Sequence, residues 1–111
     1  MATDDFGRDP SVRSMRLVFA QMETAQARLL EQAALSRFDR RLRVWRESAL
    51  RSFEEAWAKA AGRGLAATGE EVANLYILCF ARVLEKGGVM ALREALPGDE
   101  ALCRFVRELI P

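Results

Sequence analysis

The chain has 111 residues, of which 50% are hydrophobic and 30% are charged, and its formal net charge is +1. This length corresponds to one domain of common size. The near-neutral charge argues against a generally basic nucleic-acid binder. The complete lack of histidine removes the commonest general base and the commonest metal ligand. Because the first residues carry no apolar signal region, we expect a cytoplasmic protein of bacterial type without a membrane segment.

The N-terminal residues predict a polar arm followed by a helix. Residues 1–10 are expected to form a flexible arm, and residues 11–111 a single helical domain. Asp9 suits the cap position of a helix, and Pro10 suits its first turn because proline lacks a backbone N–H.

The segment Ser11–Ala61 contains no glycine or proline and is rich in strong helix formers. Two apolar stripes with helical spacing run along it, the first through Met15, Val18, Met22, Ala25 and Leu29, the second through Leu35, Phe38, Leu42, Trp45, Ala49, Phe53, Ala56 and Ala60. The second stripe is rotated by more than about 90° from the first. The segment is therefore either one long helix with two contact faces or two helices. In the second case the break falls near Ala33–Arg37, and Ser36 with Asp39 would cap the new helix.

The segment Val72–Leu84 is apolar on every side and predicts the central helix of the fold. Only Asn74 and Arg82 interrupt it. A helix without a polar face must be surrounded by other elements, and this one is shorter than the ~20 apolar residues that span a bilayer. A capping box at Thr68–Glu71 opens the helix, and glycines at 87–88 close it.

The C-terminal residues predict two short helices. The first covers Val89–Leu96 and stops at Pro97. The second is capped by Asp99 and has one apolar stripe, formed by Leu102, Phe105, Val106, Leu109 and Ile110. The predicted fold is all-α: a small helical bundle in which a long N-terminal helix, or a helix pair, packs on a buried central helix with two short C-terminal helices.

No group of residues predicts catalysis, a cofactor or a metal. Cys79 and Cys103 lie on apolar faces, where buried free thiols are favoured over a disulfide. The acidic pairs Glu54–Glu55 and Glu70–Glu71 do not converge, because neighbouring helical residues point about 100° apart. We therefore expect a protein that is not an enzyme and holds no cofactor.

The segment Arg37–Arg51 carries six arginines interleaved with Phe38 and Trp45. Arginine suits phosphate contact, and an aromatic ring can stack on a base. A solvated helix face with ion pairs to Glu47 is the favoured interpretation, and nucleic-acid binding is the alternative. The candidate phosphate contacts are Arg40, Arg41 and Arg43.

Large apolar residues are numerous for a chain that can bury only part of its surface, which predicts a contact surface for another protein. We expect a small helical protein–protein interaction module that acts as a regulator, adaptor or inhibitor, such as an anti-activator of a transcription factor. A homodimer through the long N-terminal helices is expected, and the identity of the protein partner stays open. The predicted partner-binding residues are Phe19, Met22, Leu30 and Trp45.

Overall fold

The computed structural model describes the backbone of residues 10–66 and 68–111, and the side chains of these ranges from residue 19 onward. Its helices, in chain order, are α1 (Pro10–Gln32), α2 (Leu42–Gly62), α3 (Gly69–Lys86), α4 (Leu92–Ala95) and α5 (Glu100–Leu109). These residues include no strand, so the predicted all-α helical bundle is confirmed. The predicted arm and its cap Asp9 lie outside the described residues. Across the described ranges, no helix combines the length and the apolar character needed to cross a bilayer.

Helix α3 is the centre of the fold. Every residue from Val72 to Leu84 is buried except Asn74 and Arg82, which are partly exposed. Helices α1, α2, α4 and α5 all pack on α3, whereas α1 and α2 make little contact with each other. The predicted central helix is therefore confirmed, and its apolar surface is covered from several directions.

Local hydrogen bonds define both ends of α3, and the Thr68 half of the predicted capping box is present. The Thr68 hydroxyl accepts a hydrogen bond from the Glu71 N–H at 3.2 Å, which satisfies one free donor of the first turn. At the other end Gly88 has a φ of 75°, and the Val89 N–H donates to the Leu84 carbonyl at 2.9 Å. This is a Schellman ending, in which glycine supplies the left-handed residue.

The N-terminal run consists of two helices, so the alternative of one long helix is wrong. Helix α1 ends at Gln32, and Ala34 follows with a φ of 55°. The Leu35 N–H donates to the Leu30 carbonyl at 2.9 Å, and the Ala34 N–H donates to the Glu31 carbonyl at 3.1 Å. These bonds form a second Schellman ending. The sequence did not signal it, because alanine stands where glycine is usual.

The predicted cap of the second helix, Ser36 with Asp39, is wrong in detail. Helix α2 begins later, and the residue before it, Arg41, has no side-chain cap. Asp39 instead accepts a hydrogen bond from the Arg41 backbone N–H at 2.9 Å inside the loop. Phe38 also lies in this loop and is 78% exposed, so it is not part of the core stripe. The stripe is confirmed for its buried helical members, Leu42, Ala49, Phe53, Ala56 and Ala60.

The C-terminal helices follow the prediction with one correction. Helix α4 covers only Leu92–Ala95 rather than Val89–Leu96, because the preceding Ala91 is extended with a ψ of 141°. The Asp99 carboxylate accepts from the Leu102 N–H at 3.3 Å and caps α5 as expected. The predicted apolar stripe of α5 faces the core through buried Leu102, Phe105 and Val106 and half-buried Leu109 and Ile110.

Glu85 connects the end of α3 to α4 and α5. Its Oε1 accepts from Arg82 at 2.6 Å, and its Oε2 accepts from the Leu92 N–H at 2.8 Å and from Arg107 at 3.4 Å. Burial alone would raise the pKa of Glu85, but these donors outweigh it and lower that pKa below its ordinary value of 4.5. Arg82 also donates to the Ile110 carbonyl at 2.8 Å, so the Arg82–Glu85 pair also holds the C-terminal end of α5 against α3.

Candidate interaction site

Helices α1 and α2 make little contact with each other, and we call the region between them, over the buried Tyr76 of α3, the cleft. The Tyr76 hydroxyl lies 2.7 Å from the side-chain amide of Gln26 on α1. Its ring meets Phe53 of α2 edge to face, with ring centroids 5.6 Å apart. One residue of α3 therefore contacts both outer helices, and these lie on either side of it.

A polar bridge crosses the cleft at the level of Tyr76. The Nε and Nη2 atoms of Arg46 on α2 both lie 3.1 Å from the side-chain amide of Gln26. Arginine can only donate, so the amide oxygen must face Arg46, and the amide nitrogen donates to the Tyr76 hydroxyl. Burial raises the pKa of Tyr76, and the Arg46 charge lowers it by a smaller amount. The phenol therefore stays protonated, and one hydrogen-bond network links three helices.

Exposed aromatic side chains line the mouth of this cleft. Phe19 on α1 is 55% exposed and Trp57 on α2 is 43% exposed. The Trp57 ring stacks on Phe53 with ring centroids 5.7 Å apart. Phe19 lies two helical turns before Gln26 and shares its face of α1. We call this region, with Phe19 and Trp57 exposed and Phe53 and Tyr76 buried beneath, the aromatic cleft.

Phe19 and Trp57 lie near the same end of α3. Trp45 packs against Gly87 at the C-terminal end of α3, so α2 runs antiparallel to α3 and brings Trp57 near its start. The turn of α1 that follows Phe19 lines a groove together with the first turn of α3. Leu50 is also exposed, and it lies two turns before Trp57 on the same face of α2. The walls of the cleft are therefore apolar at its open end.

The four predicted partner-binding residues differ in how much of each side chain is exposed. Phe19 is exposed at the cleft mouth, whereas Met22 and Leu30 are 7% and 6% exposed and belong to the chain's own core. Trp45 is half-buried, and its ring carries the Arg41 guanidinium at 4.7 Å from the centroid. Of the four, Phe19 alone offers a partner a large exposed surface.

Sequence reasoning missed Trp57 and Gln26 as members of this site. Trp57 directly follows Ala56 of the second stripe. A large aromatic residue next to a stripe of small residues is a signal that could have identified it as exposed. Gln26 lies between the buried residues of α1 as an isolated polar side chain, which a buried partner such as Tyr76 explains. Neither signal names the opposite helix, so the cleft itself was not predictable.

The predicted phosphate contacts are not equally available. Arg41 binds Asp39 through two hydrogen bonds of 3.0 and 2.8 Å, and this pairing lowers the pKa of Asp39 to about 2. Arg43 lies 3.8 Å from Glu47 across an exposed surface, where an ion pair contributes little. Arg40 is exposed. Arg40 and Arg43 can therefore reach a ligand, whereas Arg41 already has a carboxylate partner.

A second groove, of about 790 Å³, runs along the other flank of α1. It lies between α1 and the N-terminal half of α3 and reaches the end of α4. Its apolar lining consists of Ala20, Ala25, Ala73, Ile77, Ala95 and Leu96, and its polar lining includes Gln21, Thr24, Arg28, Glu31, Gln32, Glu70 and Asn74. Helix α1 is thus supported by α3 and borders a groove along one flank.

Reactive groups do not come together in the described residues. Cys79 and Cys103 are buried free thiols, and burial raises the pKa of Cys79 to about 12, so it remains protonated. Glu55 is exposed and pairs with Lys59 at 2.8 Å. Within the described ranges no cluster of three or more histidine, cysteine or acidic residues could hold a metal ion. The expectation that the chain is not an enzyme stays a prediction.

Comparison with known proteins adds no assignment. No protein-family model, no curated protein and no solved structure matches this chain. A fold class by itself does not specify a function, because function depends on the chemistry of particular sites.

Proposed function

We propose that this chain is a small helical protein–protein interaction module, a regulator, adaptor or inhibitor that accepts an apolar helix of its partner in the aromatic cleft. The observation that supports this proposal is the pair of exposed rings, Phe19 and Trp57, above a floor that is already aromatic. Large aromatic side chains are enriched among the residues that dominate binding energy. A groove between two helices is also a common receptor for an amphipathic helix.

We also propose that two copies associate through their N-terminal helices. Helix α1 packs on α3 and leaves both flanks uncovered, which supports a two-fold contact between equivalent surfaces. A stable interface needs about 800 Å² per partner, and each aromatic side chain supplies at most about 150–250 Å². Phe19 and Trp57 alone are too small, so the contact must extend along α1 and to Leu50. Because this contact covers the aromatic cleft, the partner helix and the second copy compete for it.

The test of the interaction compares two double variants, each of which replaces two exposed apolar side chains by serine. The purified chain is immobilised and challenged with an extract of the organism that encodes it, and bound proteins are identified by mass spectrometry. We expect Phe19→Ser with Trp57→Ser to abolish recovery of the partner. The control, Phe38→Ser with Val44→Ser, removes two apolar side chains outside the cleft that are more exposed than Phe19 and Trp57, and it should retain the partner. Equal loss in both variants, or no loss in either, would contradict the proposal.

Nucleic-acid binding is the second candidate function. It is supported by the exposed side chains of Arg37, Arg40 and Arg43 beside the exposed ring of Phe38. Titration of labelled duplex and single-stranded DNA and RNA at physiological salt distinguishes the two candidates. We expect weak binding, because the whole chain carries a net charge of only +1. Submicromolar affinity that is lost on replacing Arg40, Arg41 and Arg43 by alanine would favour this candidate instead.

A further inference from the structure

The loop before α2 and the first turns of that helix form a shallow cavity of about 550 Å³. Four arginines spaced three residues apart line it, Arg37, Arg40, Arg43 and Arg46, and Phe38 lies among them. The volume falls within the range of about 300–1,000 Å³ that is typical of small-ligand sites.

The positive charge of the cavity is only partly balanced. Its lining contains four arginines and two carboxylates, Asp39 and Glu47, so its net charge is 4 − 2 = +2. Asp39 is already paired with Arg41, which is not part of the lining. Glu47 lies 3.8 Å from Arg43, and both side chains are largely exposed, so this pair is weak. The first turn of α2 adds no acidic side chain to the cavity.

The arrangement of these side chains defines the class of ligand. Guanidinium groups bind phosphate through paired hydrogen bonds, and the exposed Arg40 and Arg43 can offer such bonds to a ligand in the cavity. Arg46 directs its Nε and Nη2 atoms to Gln26 and adds mainly its charge, so the site suits a compact ligand with several negative charges. Phe38 is 78% exposed, and the Arg37 guanidinium lies 5.0 Å from its ring centroid. One face of the ring is thus covered, and the other is open to a planar group.

We propose that this cavity binds a nucleoside phosphate, with the phosphates on the arginines and the base against Phe38. Single-stranded nucleic acid is recognised along an extended basic track, whereas these arginines surround one cavity, so we favour the free nucleotide. The proposal goes beyond the interaction module and is independent of it. The two sites lie near opposite ends of α3. Phe19 and Trp57 lie near its N-terminal end, whereas Trp45, which follows the cavity residues Arg40 and Arg43 in the chain, packs against Gly87 at its C-terminal end.

The experiment is calorimetric titration of the full chain with adenosine 5′-diphosphate and, separately, with pyrophosphate. The wild type should bind both, with micromolar affinity for the nucleotide. Arg40→Ala with Arg43→Ala should weaken both ligands at least about tenfold, because charge-assisted hydrogen bonds are lost. Phe38→Ala should weaken the nucleotide by about fivefold or more and leave pyrophosphate unchanged. Arg51→Ala is the matched control, because Arg51 is exposed on α2 outside the cavity and should change neither affinity.

Three results would overturn the assignment. Absence of nucleotide binding in the wild type would show that the cavity is not a nucleotide-binding site. An equal effect of Arg51→Ala would show a diffuse charge effect rather than a cavity. Tighter binding of a single-stranded oligoadenylate than of the diphosphate, lost in the Arg40 and Arg43 variant, would assign the surface to a nucleic-acid strand. Each variant changes exposed side chains, and a circular dichroism spectrum verifies that the helices are retained.

Discussion

At the scale of single residues, Ala34 decides where α1 ends. Its φ of 55° is left-handed, which costs an L-residue roughly 1–2 kcal/mol. The conformation is maintained because Leu35 and Ala34 donate hydrogen bonds to the last turn of α1, and because it lets α2 turn back onto α3. Local strain is thus offset by contacts made far along the chain.

Replacing Ala34 by glycine should stabilise the protein. Glycine adopts this φ without steric strain, so Ala34→Gly should raise the free energy of unfolding by about 1 kcal/mol. Ala33→Gly is the control, because Ala33 has an ordinary negative φ and glycine there should lower stability by up to about 1 kcal/mol. Urea denaturation of both variants is the measurement. A destabilised Ala34→Gly variant would show that the left-handed turn is not the native ending of α1.

Glu85 should make stability depend on acid pH. Its pKa is lowered in the folded state, so its contribution is fully present above its unfolded value of 4.5 and is lost as pH falls through the folded pKa. Glu85→Gln should cost about 1–3 kcal/mol at pH 7, and the difference from wild type should shrink in acid. The measurement is a series of thermal melts from pH 7 down to below the unfolded pKa of 4.5. Glu55→Gln, which changes an exposed carboxylate, is the control. A constant difference at every pH would contradict this role.

At the scale of elements, α3 supports the other helices. The Thr68 cap defines its first turn. The left-handed Gly88 and the hydrogen bonds of Glu85 lie at its C-terminal end. By contrast α1 depends on α3 for most of its packing. Loss of side chains from α3 should therefore affect the whole bundle, whereas changes on the outer face of α2 should have local effects.

Phe80→Ala should bring the protein close to unfolding. Phe80 is fully buried in α3, and truncating a core phenylalanine costs ~3–5 kcal/mol out of a total of about 5–15 kcal/mol for a domain. Arg43→Ala should change stability little, because Arg43 is exposed with only a distant partner. Denaturant melts compare the two variants. If Phe80→Ala melts like wild type and Arg43→Ala collapses, α3 is not the centre of the fold.

At the scale of the whole molecule, the chain is elongated. Its principal extents are 51, 33 and 22 Å, and its radius of gyration is 14.7 Å, against about 13 Å for a compact domain of this length. Helix α1 has 23 residues and α3 has 18, so α1 is longer by about 7 Å. This shape leaves helix surface uncovered and supports the proposed association of two copies.

We expect sedimentation equilibrium to give the dimer mass of 2 × 12.5 = 25.0 kDa at high micromolar concentration. The combined Phe19→Ser and Trp57→Ser variant should shift the equilibrium toward monomer, because it removes the largest apolar area beside α1. The Phe38→Ser and Val44→Ser variant should sediment like wild type. A wild-type mass of 12.5 kDa under the same conditions would contradict the dimer.

The sequence by itself determined the helices whose signals are local. The segment Val72–Leu84 is apolar on all sides, so any fold of this chain has to bury it. Thr68 and Asp99 cap helices because their side chains reach an N–H only three residues away. Gly88 ends α3 because it adopts a positive φ without strain. These features depend on neighbours in the chain and are therefore readable from it.

Only the tertiary structure decided which apolar side chains remain exposed and which helices form the cleft. Met22 and Leu30 are buried while Phe38 is exposed, although all three are apolar residues of one predicted helical run. A stripe shows that a face needs cover but does not name the element that covers it. The turn at Ala34 places α2 beside α3 across from α1, and that placement creates the cleft around Tyr76. Such long-range contacts offset the local cost of the turn, so helix propensity alone could not reveal it.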